Sequence, residues 1–190
     1  MILMIGPRAS FPVVLALVGL FSVAFLLESY WLHITVNDDW SYGIAYANQE
    51  NVSGLAFDGE TLYATLENRH HDGKLISIKG GKLTVLESSL QKPDGLILWL
   101  GFPTYTQEFD RSFVYAFRNG KSEPIFPANG AEGIDGTENG DLFVVEDKPS
   151  GRLLKYSKKS GSVVVLVDGL NQAEGVCVME SGTIYYAEKS

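Results

Sequence analysis

The chain has 190 residues, and its 23 acidic against 15 basic residues give a net charge of −8 at pH 7. This balance excludes the basic surface with which proteins bind nucleic acid, so no nucleic-acid partner is expected. The single cysteine excludes a disulfide framework and a multi-cysteine metal site. A hydrophobic content of 45% with 20 glycines argues against disorder and favours short strands joined by tight turns.

The amino terminus contains an uncharged apolar run from Ala9 to Leu27, which as a helix would span about 28 Å. We predict a cytoplasmic stub over residues 1–8 and a single-pass transmembrane anchor over residues 9–32, which contacts membrane lipid. Arg8 precedes the run and Glu28 follows it, so the rest of the chain is placed on the non-cytoplasmic side, in a periplasm, a lumen or outside the cell. The competing interpretation is a cleaved secretory signal, but no small-x-small cleavage motif follows the run.

The rest of the chain repeats itself with a period near forty residues. The segments SGLAFDGETLYATLE, DGLILWLGFPTYTQE, EGIDGTENGDLFVVE and EGVCVMESGTIYYAE align on leading glycines at positions 54, 95, 133 and 175. In the first three units a second pair of strands follows, joined by glycine-containing turns such as KGGK and RNGK. Four short antiparallel strands per repeat predict the blade of a β-propeller.

The predicted fold class is therefore all-β, with about 3.5 four-stranded blades over residues 53–190, preceded by one transmembrane helix. Residues 33–52 are a linker or a closing strand, since YGIAYA has strand character. Three explanations of the incomplete ring stay open: a longer natural chain, closure by residues 33–52, or a partner chain at the open propeller edge.

Carboxylates recur at two positions of the repeat. A glutamate follows every leading glycine at the same offset, and an acidic residue precedes three of the four glycines. Because the second strand of a blade ends beside the start of the first, these side chains are expected around one mouth of the central channel. Such crowding requires raised pKa values or a bound cation, and oxygen ligands favour Ca²⁺ or another divalent ion. The predicted metal ligands are Glu67, Asn68, Asp94, Glu132, Glu146, Glu174 and Glu188, with Glu108 and Ser53 at equivalent positions. Alternatively, these glutamates cap strand ends or bind backbone amides.

The strand openings EGI, EGV and KPDGL, followed by NGDLFVVED or SGTIYYAE and then GRLLKYS, resemble the six-bladed propellers of the gluconolactonase, senescence marker protein and strictosidine synthase-like superfamily. The resemblance implies a ring of six blades with a divalent ion, usually calcium, on its axis, held by glutamate, asparagine and aspartate. The EG-type glutamate of that family corresponds to Glu132 and Glu174. The streptogramin lyase and NHL-repeat propellers share the strand pattern and are the second resemblance.

Two functions follow from this pattern. The first is a membrane-anchored, metal-dependent hydrolase of a lactone or ester, with Glu146 or His70 as the catalytic base. The second is a non-catalytic anchored propeller that acts as a binding or assembly subunit of a membrane complex. The unfinished ring favours the second function, and the carboxylates favour the first.

Overall fold

The computed structural model describes residues 2–7, 40–46, 49, 51–68 and 71–190, and the chain divides into two units, Met1–Asn48 and Gln49–Ser190. In the first unit, strands β1 (Ile2–Pro7) and β2 (Trp40–Tyr46) form an antiparallel pair. The segment predicted as a linker or closing strand thus contains β2, whose partner is β1. This pairing brings residues 2–7 and 40–46 together, which does not fit the predicted topology with a cytoplasmic stub over residues 1–8 and the rest of the chain on the opposite side of a bilayer.

The predicted transmembrane anchor, residues 9–32, lies outside the described residues and stays a prediction. Among the residues that the structure does describe, no helix is long and apolar enough to cross a bilayer.

The second unit consists of three four-stranded antiparallel sheets and one two-stranded sheet, each with its strands in chain order. This confirms the predicted four-stranded repeats, and the described residues contain strands and turns but no helix. We call the sheets blades 1 to 3 and half-blade 4. Blade 1 contains β3 (Val52–Phe57), β4 (Thr61–Leu66), β5 (Gly73–Lys79) and β6 (Lys82–Leu90); blade 2 contains β7 (Pro93–Trp99), β8 (Phe102–Gln107), β9 (Phe113–Arg118) and β10 (Lys121–Pro127); blade 3 contains β11 (Ala131–Gly136), β12 (Leu142–Glu146), β13 (Pro149–Ser157) and β14 (Ser162–Asn171); half-blade 4 contains β15 (Ala173–Val178) and β16 (Ile184–Glu188).

The leading glycines allow the first strands of neighbouring blades to approach closely. A Cβ at Gly54 would lie 2.5 Å from the carbonyl oxygen of Asp94, and one at Gly95 would lie 2.4 Å from that of Glu132. At Gly133 the corresponding distance, to the carbonyl oxygen of Glu174, is 2.6 Å. No side chain fits in such a space, so the leading glycines of blades 1 to 3 are required by the packing of one blade on the next.

Apolar side chains fill the spaces between blades. One cluster, between blades 1 and 2, contains Leu75, Leu90, Leu96 and Tyr105. A larger one joins blades 2 and 3, and a third joins blade 3 to half-blade 4. Each sheet thus buries apolar side chains against the sheet next to it, because a single four-stranded sheet cannot bury a face alone.

Candidate metal centre

The first strands of all four repeats begin at the same end of the structure, which we call the rim. In each sheet, the first residue of the first strand is paired with the last residue of the second strand. These pairs are Val52 with Leu66, Pro93 with Gln107, Ala131 with Glu146, and Ala173 with Glu188. The residues that follow these pairs, at 53 and 67 in blade 1 and at 94 and 108 in blade 2, are therefore neighbours at the rim.

Three carboxylates meet at the rim. Asp94, Glu108 and Glu132 each offer one oxygen, and these oxygens lie within 4.8 Å of one another in a partly buried position. Two of the three residues belong to the predicted ligand set, and Glu108 occupies the equivalent position in its repeat. We call these three residues the acidic cluster.

Hydroxyl groups hold the backbone and one carboxylate of the acidic cluster in place. Ser53 Oγ donates to Asp94 Oδ1 at 2.5 Å. Thr65 Oγ1 donates to the carbonyl of Asp94, and Thr106 Oγ1 donates to the carbonyl of Glu132, each at 2.6 Å. Both threonines are fully buried, so blade 1 holds the rim of blade 2, and blade 2 that of blade 3, through a satisfied hydrogen bond.

Lys92 lies beside the acidic cluster. Its ammonium group contacts Glu108 Oε2 and lies 3.6 Å from Glu67 Oε1. Burial raises the pKa of Glu67, and the negative charge of Asp94 adds to this effect, while Lys92 opposes it. The arrangement places a carboxylate that readily accepts a proton beside the three clustered oxygens.

Asp147 adds a further carboxylate on the side of Glu132. Its side chain is only 10% exposed, and its buried Oδ1 meets no N–H or hydroxyl donor among the described residues, so the hydrogen bond between Asp147 and Glu132 requires a proton on one of the two carboxylates. Burial, together with a hydrogen bond to Asp147 and repulsion from Asp94, raises the pKa of Glu132 to about 8. At neutral pH this side of the rim therefore holds a proton or requires a cation.

We expect stability to fall as the pH rises from about 5 to 8 when divalent ions are chelated. Glutamate in an unfolded chain titrates near pH 4.3, whereas folded Glu132 titrates at about 8. The stabilisation is thus complete below the lower value and is lost as the pH rises through the higher one. Thermal unfolding of the full chain in detergent should show this slope, with about 2–4 °C for each kcal/mol lost.

The matched variant for this measurement is Glu132→Gln, which carries no titratable group and should flatten the slope. Saturating Ca²⁺ should also flatten it, because a cation replaces the proton. An identical slope in the wild-type chain and in Glu132→Gln would contradict the assignment.

Glu146, predicted as a ligand and as a base, does not belong to the acidic cluster. Its carboxylate is fully buried and accepts hydrogen bonds from Arg152 Nε at 2.8 Å, Arg152 Nη2 at 2.6 Å and the Asn129 amide at 2.9 Å. Burial favours the protonated form, but the hydrogen bonds from Arg152 and Asn129 hold the pKa of Glu146 below its ordinary value. A buried, ion-paired carboxylate of this kind is a poor proton acceptor.

The prediction that glutamates at a constant distance after the leading glycine all lie at the rim is wrong for blade 3 and half-blade 4. In these two sheets the hairpin between the first and second strands is one residue longer than in blades 1 and 2. There, the glutamate at this offset is itself the paired position, Glu146 or Glu188. In blades 1 and 2 the paired position comes one residue earlier, at Leu66 and Gln107, and the glutamate follows it. The true equivalents of Glu67 and Glu108 are therefore residues 147 and 189, an aspartate and a lysine. The sequence identifies Asp147 as the rim residue only if the extra residue in the turn before β12 is recognised, because Asp147 follows Glu146 directly.

The paired position has a structural role. Gln107 Oε1 accepts a hydrogen bond from the Gln91 amide at 2.7 Å, and Glu188 Oε2 accepts one from the Asn171 amide at 2.7 Å. Glu146 makes the same bond to Asn129. These side chains cap the backbone that enters each blade, as the alternative interpretation of the glutamates proposed.

The other predicted site residues lie apart from the acidic cluster. Glu174, half exposed, forms an ion pair with Lys189 at 2.9 Å. Asn68 Oδ1 accepts a hydrogen bond from Asn51 Nδ2 at 3.0 Å, and Asn68 Nδ2 donates to the carbonyl of Asp72. Asn68 therefore holds a loop in place. His70 lies outside the described residues, so its predicted role as a base stays a prediction.

Comparison with solved structures decides the fold. A gluconolactonase from Xanthomonas campestris superposes with a TM-score of 0.64 and 12% identity, over 76% of this chain and 56% of its own. The strands of the second unit form part of a β-propeller. A streptogramin B lyase matches this propeller with a TM-score of 0.60 and 14% identity, over 75% of this chain and 50% of its own. Virginiamycin B lyase from Staphylococcus aureus matches with a TM-score of 0.58 and 16% identity, over 75% and 51%.

The propeller described here thus spans about half the length of the structures it matches. No protein-family model and no curated protein matches the sequence. At 12–16% identity the likeness shows the fold alone.

Proposed function

We propose that this propeller is a hydrolase of a lactone or ester that uses a divalent cation at the rim and is held at a membrane by residues 9–32. The acidic cluster carries the proposal, because three carboxylate oxygens within 4.8 Å form a ligand set for one ion. The likeness to a gluconolactonase supports the substrate class, and the apolar run supports the anchor.

The spacing of the acidic cluster suits calcium. Oxygen ligands lie about 2.3–2.6 Å from Ca²⁺, so two of them on opposite sides of the ion are about 5 Å apart. Magnesium, with ligands at about 2.0–2.1 Å, requires a narrower octahedral arrangement. The oxygens of Asp94, Glu108 and Glu132 lie within 4.8 Å of one another, a separation that one calcium ion can bridge, and backbone carbonyls and water can supply the remaining ligands.

A bound divalent cation would polarise the carbonyl oxygen of a substrate. Asp94, Glu108 and Glu132 would bind it, and Ser53 would orient Asp94 through its 2.5 Å hydrogen bond. Glu67 is the base that the structure favours, because its side chain is 34% exposed and its pKa is raised. Its carboxylate would take the proton of the attacking water.

The test is hydrolysis of aryl esters and aldonolactones by the full chain in detergent, with calcium and with a chelator. We expect chelation to abolish activity and Asp94→Asn to lower kcat/KM by about 10²–10³-fold. Asp110→Asn, which makes the same change at an exposed position, should act as the wild type does. Activity that survives the chelator unchanged would contradict the proposal.

A second candidate function, a non-catalytic assembly subunit, is favoured by the uncovered face of half-blade 4. A Cβ at Gly175 would meet nothing within 4 Å, whereas the equivalent glycines all meet the next blade. Tyr185 on this face is 62% exposed. Among the described strands, β16 pairs only with β15. An exposed apolar strand edge of this kind favours association with another sheet.

In this second function another polypeptide supplies a blade that packs against Gly175. Sedimentation of the full chain in detergent should then show a complex that Gly175→Trp dissociates. A monomeric chain with full hydrolase activity would contradict the assembly function and leave the hydrolase standing.

A further inference from the structure

We propose that Lys92 is the resident counter-ion of the acidic cluster and that a divalent cation binds by displacing its ammonium group. The inference rests on the proposed metal centre and adds how that centre is occupied when no divalent ion is bound.

Lys92 occupies a turn that recurs at the entrance of each blade. Its φ is +42°, in the left-handed region that is uncommon for a residue other than glycine. Its carbonyl accepts the hydrogen bond of the Glu108 amide at 2.9 Å. Equivalent turns place Asn51, Gly130 and Gln172 at φ values of 51°, 61° and 51°. Of these four rim positions, only the one in blade 2 carries a charge.

The ammonium group of Lys92 forms an ion pair with one carboxylate of the acidic cluster. It contacts an oxygen of Glu108, and it also approaches Glu67 Oε1 at 3.6 Å. The lysine side chain is 41% exposed, so it can move into solvent without leaving a cavity. A cation shared by Asp94, Glu108 and Glu132 would compete with it for the carboxylate of Glu108.

A single ammonium group does not neutralise this part of the rim. Asp147 lies on the Glu132 side, its side chain is nine-tenths buried, and its Oδ1 meets no N–H or hydroxyl donor among the described residues. The cation that faces it, Lys189 Nζ, is 3.7 Å from the other oxygen, Oδ2. Because Asp147 is in contact with Glu132, the carboxylates of this part of the rim outnumber its two ammonium groups, those of Lys92 and Lys189, and the rim can accept more positive charge than Lys92 provides.

Removing the charge of Lys92 should therefore strengthen the binding of a divalent cation. Calorimetric titration of the full chain in detergent with CaCl₂ would compare the wild type with Lys92→Met, whose side chain has similar length and leaves the turn equally strained. We expect binding at least about tenfold tighter, because repulsion between the ammonium group and a divalent ion a few ångströms away is removed. Lys92→Arg retains the charge and should bind no more tightly than the wild type.

Lys121→Met is the charge-matched control, because Lys121 pairs with Glu123 on β10 and contacts no cluster residue. Tighter binding by Lys92→Met alone would support the inference. Binding by Lys92→Met without any by the wild type would also support it, and would contradict the proposed metal function. If the wild type binds calcium and Lys92→Met binds it equally or less tightly, the inference is overturned and the metal centre stands. Absence of binding in both chains would overturn the two together.

Discussion

Gly95→Ala is expected to destabilise the propeller by about 3 kcal/mol, with loss of the acidic cluster. The new Cβ would lie 2.4 Å from the carbonyl oxygen of Glu132 and 2.9 Å from Ile134 Cγ2. Neither group can move away easily, because the carbonyl accepts a hydrogen bond from Thr106 Oγ1 and Ile134 packs in the core between blades 2 and 3. Blade 3 must move away from blade 2, and Glu132 moves with it.

Gly175→Ala is the matched control, because the same substitution at the equivalent position meets no atom within 4 Å. Denaturant unfolding should show that Gly95→Ala lowers the free energy of unfolding by about 3 kcal/mol. For Gly175→Ala we expect the free energy of unfolding to change by about 0.5 kcal/mol or less. Equal stability of the two variants would contradict the close approach of blades 2 and 3.

Glu146→Gln should lower the free energy of unfolding by about 2 kcal/mol, because the change removes the buried negative charge that pairs with Arg152, whose side chain is 32% exposed. The carboxylate is fully buried, and both of its oxygens bond the guanidinium group. Glutamine retains an acceptor for the Asn129 amide but places an NH₂ group against Arg152. The loss therefore measures the ion pair rather than the cap.

Glu188→Gln is the control at the equivalent position of half-blade 4, where the carboxylate is exposed and bonds the Asn171 amide at 2.7 Å. We expect a change of about 0.5 kcal/mol or less there. A double-mutant cycle with Arg152→Met isolates the pair. If Glu146→Gln unfolds at the wild-type denaturant concentration but loses calcium binding, Glu146 is a ligand after all.

The architecture was predictable because each repeat carries glycines and turn residues at the same positions. A glycine opens the inner strand where the next blade approaches, and glycines at 80, 81 and 120 take φ values of 56°, 76° and 79° in the outer hairpins. These constraints act over a few residues, so the glycines that satisfy them recur at a fixed spacing in the sequence. The number and order of strands, and the convergence of Asp94 and Glu132 at one rim, follow from them.

The identity of the rim residues in blade 3 was not predictable from spacing, because one extra residue in the β11–β12 hairpin exchanges Glu146 and Asp147. In a strand, a shift of one residue moves a side chain to the opposite face. The pairing of Glu146 with Arg152 could be recognised only with the register of β12 and β13 in hand. Lys92 was overlooked for a similar reason, since its place at the rim depends on a left-handed turn.

A crystal structure of the full chain grown with calcium tests the metal centre most directly. An ion about 2.3–2.6 Å from oxygens of Asp94, Glu108 and Glu132, with the Lys92 side chain turned into solvent, is the predicted result. Calcium bound elsewhere on the chain, with Lys92 still against Glu108 and the three carboxylates uncoordinated, would contradict it.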